Sequence, residues 1–135
     1  GRKLARDGGA AAKALVAEMR KAEGDLPGLK EAIDLYAECA TWVVKTYASD
    51  IRAAHAASVP FLMLMGVVCG AWQMARSSAA AKRLLSNGGA DPSFLEAKVA
   101  TARFYAEHIL PRAKGLRDEV IGGAASVLAL SEEQF

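Results

Sequence analysis

The sequence predicts an all-α fold, an antiparallel up-down-up-down four-helix bundle closed by a short C-terminal helix or turn. Three observations carry this reading. Hydrophobic residues make up 53% of the chain but aromatic residues only 7%, because alanine, the strongest helix former, supplies much of the apolar share. β-Branched residues are sparse and scattered, so no stretch reads as a strand. Four stretches place apolar residues at alternating steps of three and four, and glycine, proline or asparagine separates them. The 135 residues suit a single domain, 1–135. A chain of this size buries roughly two-thirds of the surface its unfolded form exposes, so it needs no disulfide or metal to fold.

The first helix follows Asp7, which is placed to cap it. Ala12, Leu15, Val16 and Met19 form a narrow stripe, and Gly24 suits the C-terminal end. The second helix takes its start from Asp25 and Pro27 and is expected to run to about Ala57. That would be a rod of about 45 Å. Leu29, Ile33, Tyr36, Ala40, Val43 and Tyr47 make one stripe, and Ala32, Leu35, Cys39 and Trp42 a second beside it. Such a wide apolar face belongs to a helix with two neighbours.

The third helix opens at Ser58 as N-cap, with Pro60 in the first turn, where a missing N–H costs nothing. Its apolar segment, Val59–Trp72, has 14 residues. That is short for a bilayer and fits a buried helix. Gly66 and Gly70 are expected to let a neighbouring backbone come close. The loop SNGGAD, residues 86–91, ends this helix.

The fourth helix starts at Asp91 or Ser93. Leu95, Val99, Ala102, Ala106, Ile109, Ala113, Leu116 and Val120 then repeat at steps of four and three, straight through Pro111. Pro111 points away from that stripe, which predicts a helix kinked there but not broken. Gly122 and Gly123 end it, and SVLALSEEQF closes the chain as a short helix or turn.

With 17 basic and 15 acidic residues the net charge is +2, too balanced to argue for nucleic acid or an anionic membrane. Arg2, Lys3 and Arg6 read as a solvated end. Cys39 and Cys69 sit in apolar helical surroundings and read as buried, reduced thiols of a cytoplasmic protein. No signal peptide is visible.

The stretch TARFYAEHILPR, residues 101–112, gathers Arg103, Tyr105, Glu107 and His108, the residue types of acid/base chemistry. Helical projection separates them. Glu107 faces solvent within reach of Arg103, an exposed pair of small energetic value. Lys98, Thr101, Tyr105, His108 and Arg112 share one flank of the apolar stripe. That flank is the candidate interface, either a boundary between core and water or a docking face. No Ser, Cys or Asp completes a nucleophile–base set with His108. The two histidines make no Glu-x-x-His pair, the cysteines lack metal-ligand spacing, and NGGAD and IGGAA read as a loop and a helix end. No catalytic, cofactor-binding or metal residue is assigned.

The segments GRKLARDGGAAAKAL, FLMLMGVVCGAWQMAR and KVATARFYAEHILPRA, with the ending LALSEEQF, resemble the C-terminal extension of large bacterial acyl-CoA dehydrogenases. The subgroup is the one like 3-methylmercaptopropionyl-CoA dehydrogenase. The resemblance covers nearly the whole chain, and ATARFYAEHILPRA is its most specific part. It implies the C-terminal fragment of a larger flavoprotein oxidoreductase that removes hydrogen from the α and β carbons of an acyl-CoA with FAD. The catalytic glutamate of that family, often in a Glu-Gly-Thr segment, would lie upstream of Gly1. No Glu-Gly-Thr occurs here, so no catalytic residue carries over and no cofactor is expected in this fragment. The resemblance further implies docking on the dehydrogenase body or a second subunit of a homo-oligomer, through Lys98, Tyr105, His108 and Arg112 with Trp42 and Trp72 nearby.

Two other readings stay open. One is a stand-alone bundle that binds a small ligand against Gly66, Gly70, Met63, Met65 and Met74. The other is an adaptor that dimerises through an exposed stripe on the first or fourth helix.

Overall fold

The computed structural model describes residues 2–88 and 91–134. Those residues form eight α-helices and one 3₁₀ turn, with no strand among them. The helices are α1 (Arg2–Arg6), α2 (Ala10–Lys21), α3 (Leu29–Ser49), α4 (Ile51–Ala56), α5 (Ser58–Ser86), α6 (Pro92–His108), α7 (Arg112–Gly122) and α8 (Ala124–Val127), and the 3₁₀ turn is Glu132–Gln134. The all-helical expectation holds, but the four expected rods are divided further.

α1 was not foreseen in the sequence. It ends where the N–H groups of Gly8 and Gly9 reach back to the carbonyls of Ala5 and Leu4, at 3.1 and 3.0 Å. Both glycines are left-handed, with φ of 62° and 80°, the conformation in which a chain leaves a helix. The N-cap of α2 is Gly9 and not the expected Asp7; Asp7 lies in the turn before it, its carboxylate accepting from the N–H groups of Gly9 and Ala11 at 2.9 and 3.1 Å.

The second expected rod ends early. Asp25 and Pro27 precede α3, whose N-cap is the left-handed Gly28. The helix stops at Ser49, short of Ala57, because Asp50 leaves helical geometry at φ −146° and ψ 89°. Its carboxylate accepts from the N–H of Ala53 at 3.0 Å and so caps α4. A cap satisfies a donor that has no partner within its helix, and that bond favours a break here over a continuous rod. Ser58 is correspondingly not a cap. The chain arrives at it already helical through Ala57, and no side-chain cap bond is made there.

The fourth rod is broken at Pro111, not only kinked. The Tyr105 carbonyl accepts from the N–H groups of both Ile109 and Leu110, at 3.0 and 2.9 Å. Arg112 and Ala113 then reach back three residues, to the carbonyls of Ile109 and Leu110, at 3.1 and 3.0 Å. Pro111 has no N–H and its ring crowds the preceding turn, so the ladder opens for one turn and resumes. The break also shifts the phase of the stripe: Leu110, off the expected row, is 3% exposed, while Ile109 is half-buried. Asp91 starts α6, with its carboxylate accepting from the Phe94 N–H at 3.0 Å. Asn87 and Gly88 end α5, and Gly89 and Ala90 of the expected loop lie outside the described residues.

α5 is the central helix. It is flanked by α6 and α7 on one side and α3 on another. α3 also meets α1, α2, α4 and α7, and α8 folds back on α4 and α7. The core holds Val43 and Cys39 of α3, Leu64, Val68 and Ala71 of α5, and Val120 of α7, with Met19 joining from α2. Tyr36 stacks on Phe61, with ring centres 5.6 Å apart. Arg117 of α7 clasps both carboxylate oxygens of Glu38 of α3 at 2.9 and 2.5 Å.

Candidate functional site

The structure separates the five residues of the predicted flank into one that reaches inward and four that are exposed. Tyr105 alone reaches inward, donating its hydroxyl to the Val67 carbonyl of α5 at 3.1 Å. The hydroxyl lies directly over Gly70, where even a methyl group would collide with it. Gly70 thus makes room for a side chain, not for the neighbouring backbone expected from the Gly66–Gly70 spacing. Burial first, and Cys69 second, raise the Tyr105 hydroxyl above its ordinary range, so it stays a donor.

Lys98, Thr101, His108 and Arg112 are exposed. Lys98 lies over the Phe94 ring at 4.8 Å. The Thr101 hydroxyl donates to the Ala97 carbonyl at 2.8 Å. His108 rests against Phe104, with ring centres 4.6 Å apart. On the other side of α6 the exposed pair of Arg103 and Glu107 forms as expected, at 2.7 Å. A direct hydrogen bond from Arg103 holds the Glu107 carboxyl below its ordinary pKa, which keeps it charged and occupied. These partners leave His108 no nucleophile or orienting carboxylate. Trp42 and Trp72 are half-buried and contribute to the core; Arg76 lies over the Trp72 ring at 5.4 Å.

α5 carries a surface that sequence reasoning missed. The third helix was expected to be buried, but Val59, Leu62 and Met63 of α5 are 65%, 62% and 55% exposed. The signal was available in the sequence: no Asp, Glu, Lys or Arg occurs between Arg52 and Arg76. An apolar run was read as core, although one face of it has no neighbour. By length and composition α5 is long and apolar enough to cross a bilayer. The helices around it argue against lipid, because α3, α6 and α7 carry the exposed charges Asp34, Lys98, Arg103 and Asp118.

A cleft of about 370 Å³ lies between α2 and α3, lined by Ala12, Val16, Ala40 and Val44 with Lys13 and Arg20 at its margin. None of Gly66, Gly70, Met63, Met65 and Met74 lines it. A flavin does not fit these residues. No aromatic side chain lines the cleft, the N–H groups of Gly8 and Gly9 are already bonded within the turn, and Arg20 is held by Asp34 at 2.5 Å. Among the described residues no three His, Cys, Asp or Glu side chains come together as a metal site. Cys39 is fully buried, and burial, followed by the charge of Glu38, pushes its thiol up to about 11. Cys69 is raised by burial too. Neither supplies a thiolate nucleophile near neutral pH.

Residues 9–131 match the family described as acetyl-CoA dehydrogenase C-terminal like. The chain is 34% identical to a 3-methylmercaptopropionyl-CoA dehydrogenase of Ruegeria pomeroyi, over 97% of this chain and 24% of that protein. It is 31% identical to the broad-specificity linear acyl-CoA dehydrogenase FadE5 of Mycobacterium tuberculosis, over 87% of this chain and 19% of that protein. The chain therefore spans about a quarter or less of the length of these relatives. It belongs to the family of C-terminal domains of acyl-CoA dehydrogenases.

Proposed function

We propose that this chain is the non-catalytic accessory domain of an FAD-dependent acyl-CoA dehydrogenase. Its helices act as one antiparallel bundle, and it rests on the dehydrogenase body or at a subunit interface of a homo-oligomer. Catalysis and flavin belong to the rest of the polypeptide, and the acyl-CoA loses its α proton and β hydride there. The observation that carries the reading is the pairing of family membership over residues 9–131 with a flank whose titratable side chains are exposed or already partnered. Lys98, Thr101, His108 and Arg112 act as polar contacts of the docking face, and Tyr105 holds α6 in position behind them.

The size of the natural product tests this. An antibody to the domain should detect a polypeptide about four to five times 14.2 kDa, since the alignments fill 24% and 19% of the relatives. It should carry flavin. A product near 14.2 kDa would end the accessory reading.

A further inference from the structure

Val59, Leu62, Met63 and Gly66 fall at i, i+3, i+4 and i+7, the spacing that places side chains on one face of a helix. With Ser58 and Gln73 they are the exposed positions of α5 up to Gln73, and none carries charge. From Val59 to Gly66 the face runs about 10 Å along the helix axis. Exposed helix faces of soluble domains ordinarily carry charge, and the outer faces of α3 and α6 do, with Lys30, Asp34, Glu96 and Arg103. An exposed apolar patch rimmed by polar residues marks a surface that another protein covers. Here the rim is present. Tyr105 of α6 arches over Gly70 at the edge of the stripe, and the exposed Lys98 and His108 belong to the same helix. An apolar centre with a polar margin is the layout of a protein interface.

We propose that the Val59–Leu62–Met63–Gly66 face of α5 is the seat of the dehydrogenase body of the same polypeptide, which presents an uncharged apolar surface to it. The inference rests on the accessory-domain reading. The length of chain outside the domain commits it to that occupant: in both relatives more than three-quarters of the polypeptide lies beyond the matched region. That mass has to meet the domain, and the other faces of α5 are taken by α3, α6 and α7. A Cβ built at Gly66 has nothing within 4 Å, so a partner backbone can lie close against the helix there.

Met63 makes the test direct, because thioether oxidation follows exposure. The 135-residue chain and the full-length polypeptide are treated with dilute hydrogen peroxide and their peptides are followed by mass spectrometry. Met19, 2% exposed, and the half-buried Met65 and Met74 serve as references. Met63 should oxidise several-fold more slowly in the full-length protein than in the chain alone, with the references unchanged. A full-length Leu62→Asp variant should lose that protection. Equal oxidation in the two proteins overturns the proposal. Protection that grows with concentration of the 135-residue chain overturns it in favour of a second copy. Protection by phosphatidylglycerol vesicles overturns it in favour of a membrane surface. An active, flavin-bearing full-length protein with unprotected Met63 removes the docking face and leaves the accessory reading. A full-length protein with neither flavin nor dehydrogenase activity removes the accessory reading itself.

Discussion

Tyr105 sits in the stretch that looks most like an active site, and its work is structural. Its hydroxyl joins α6 to the Val67 carbonyl of α5, and Gly70 leaves the space it occupies. Tyr105→Phe keeps the ring and deletes the bond, so denaturant unfolding should show a loss of about 0.5–1.5 kcal/mol. Cys39 has an equally passive role. Its thiol is pushed up to about 11, burial being the largest cause. In the native chain at neutral pH it should resist an alkylating reagent until unfolding exposes it. Rapid labelling of Cys39 in the folded protein would contradict this burial.

Helix breaks are decided at the scale of elements, and they show what is legible in a sequence. The apolar stripes were readable because burial imposes a period: Leu29, Ile33, Tyr36 and Val43 of α3 are all in the core. The break at Asp50 was not, because its neighbours Ala48, Ser49 and Ile51 contain no glycine or proline. One carboxylate makes the difference by capping the Ala53 N–H. Asp50→Ala should therefore cost about 1 kcal/mol, read from thermal or denaturant unfolding. At Pro111 the direction away from the stripe was legible. The extra bond from Leu110 to the Tyr105 carbonyl, which moves Leu110 into the core, was not. Of the candidate surface, the flank on α6 was readable from periodicity. The α5 face was hidden because exposed apolar residues and apolar residues in a core look the same in sequence.

Taken as a whole molecule, the domain is held by a core that draws on α2, α3, α5, α6 and α7 and by ion pairs across its helices. The clasp of Glu38 by Arg117 links α3 to α7, and that hydrogen bond holds the Glu38 carboxyl below its ordinary value of 4.5. The folded state thus binds this proton less readily than the unfolded one. The contribution is fully present above about pH 4.5 and is lost as pH falls through the lowered value. Thermal melts should show the wild-type chain losing stability on acidification below that point more steeply than Glu38→Gln. Identical slopes would mean that the clasp does not contribute.

The central claim is a division of labour: helical support here, flavin chemistry elsewhere in the polypeptide. The most direct measurement purifies the 135-residue chain and the full-length polypeptide side by side. Each is assayed for bound flavin and for acyl-CoA-dependent reduction of a dye acceptor. The account predicts a folded, colourless and inactive chain beside a yellow, active full-length enzyme. A 135-residue chain that itself binds flavin and oxidises an acyl-CoA would contradict it.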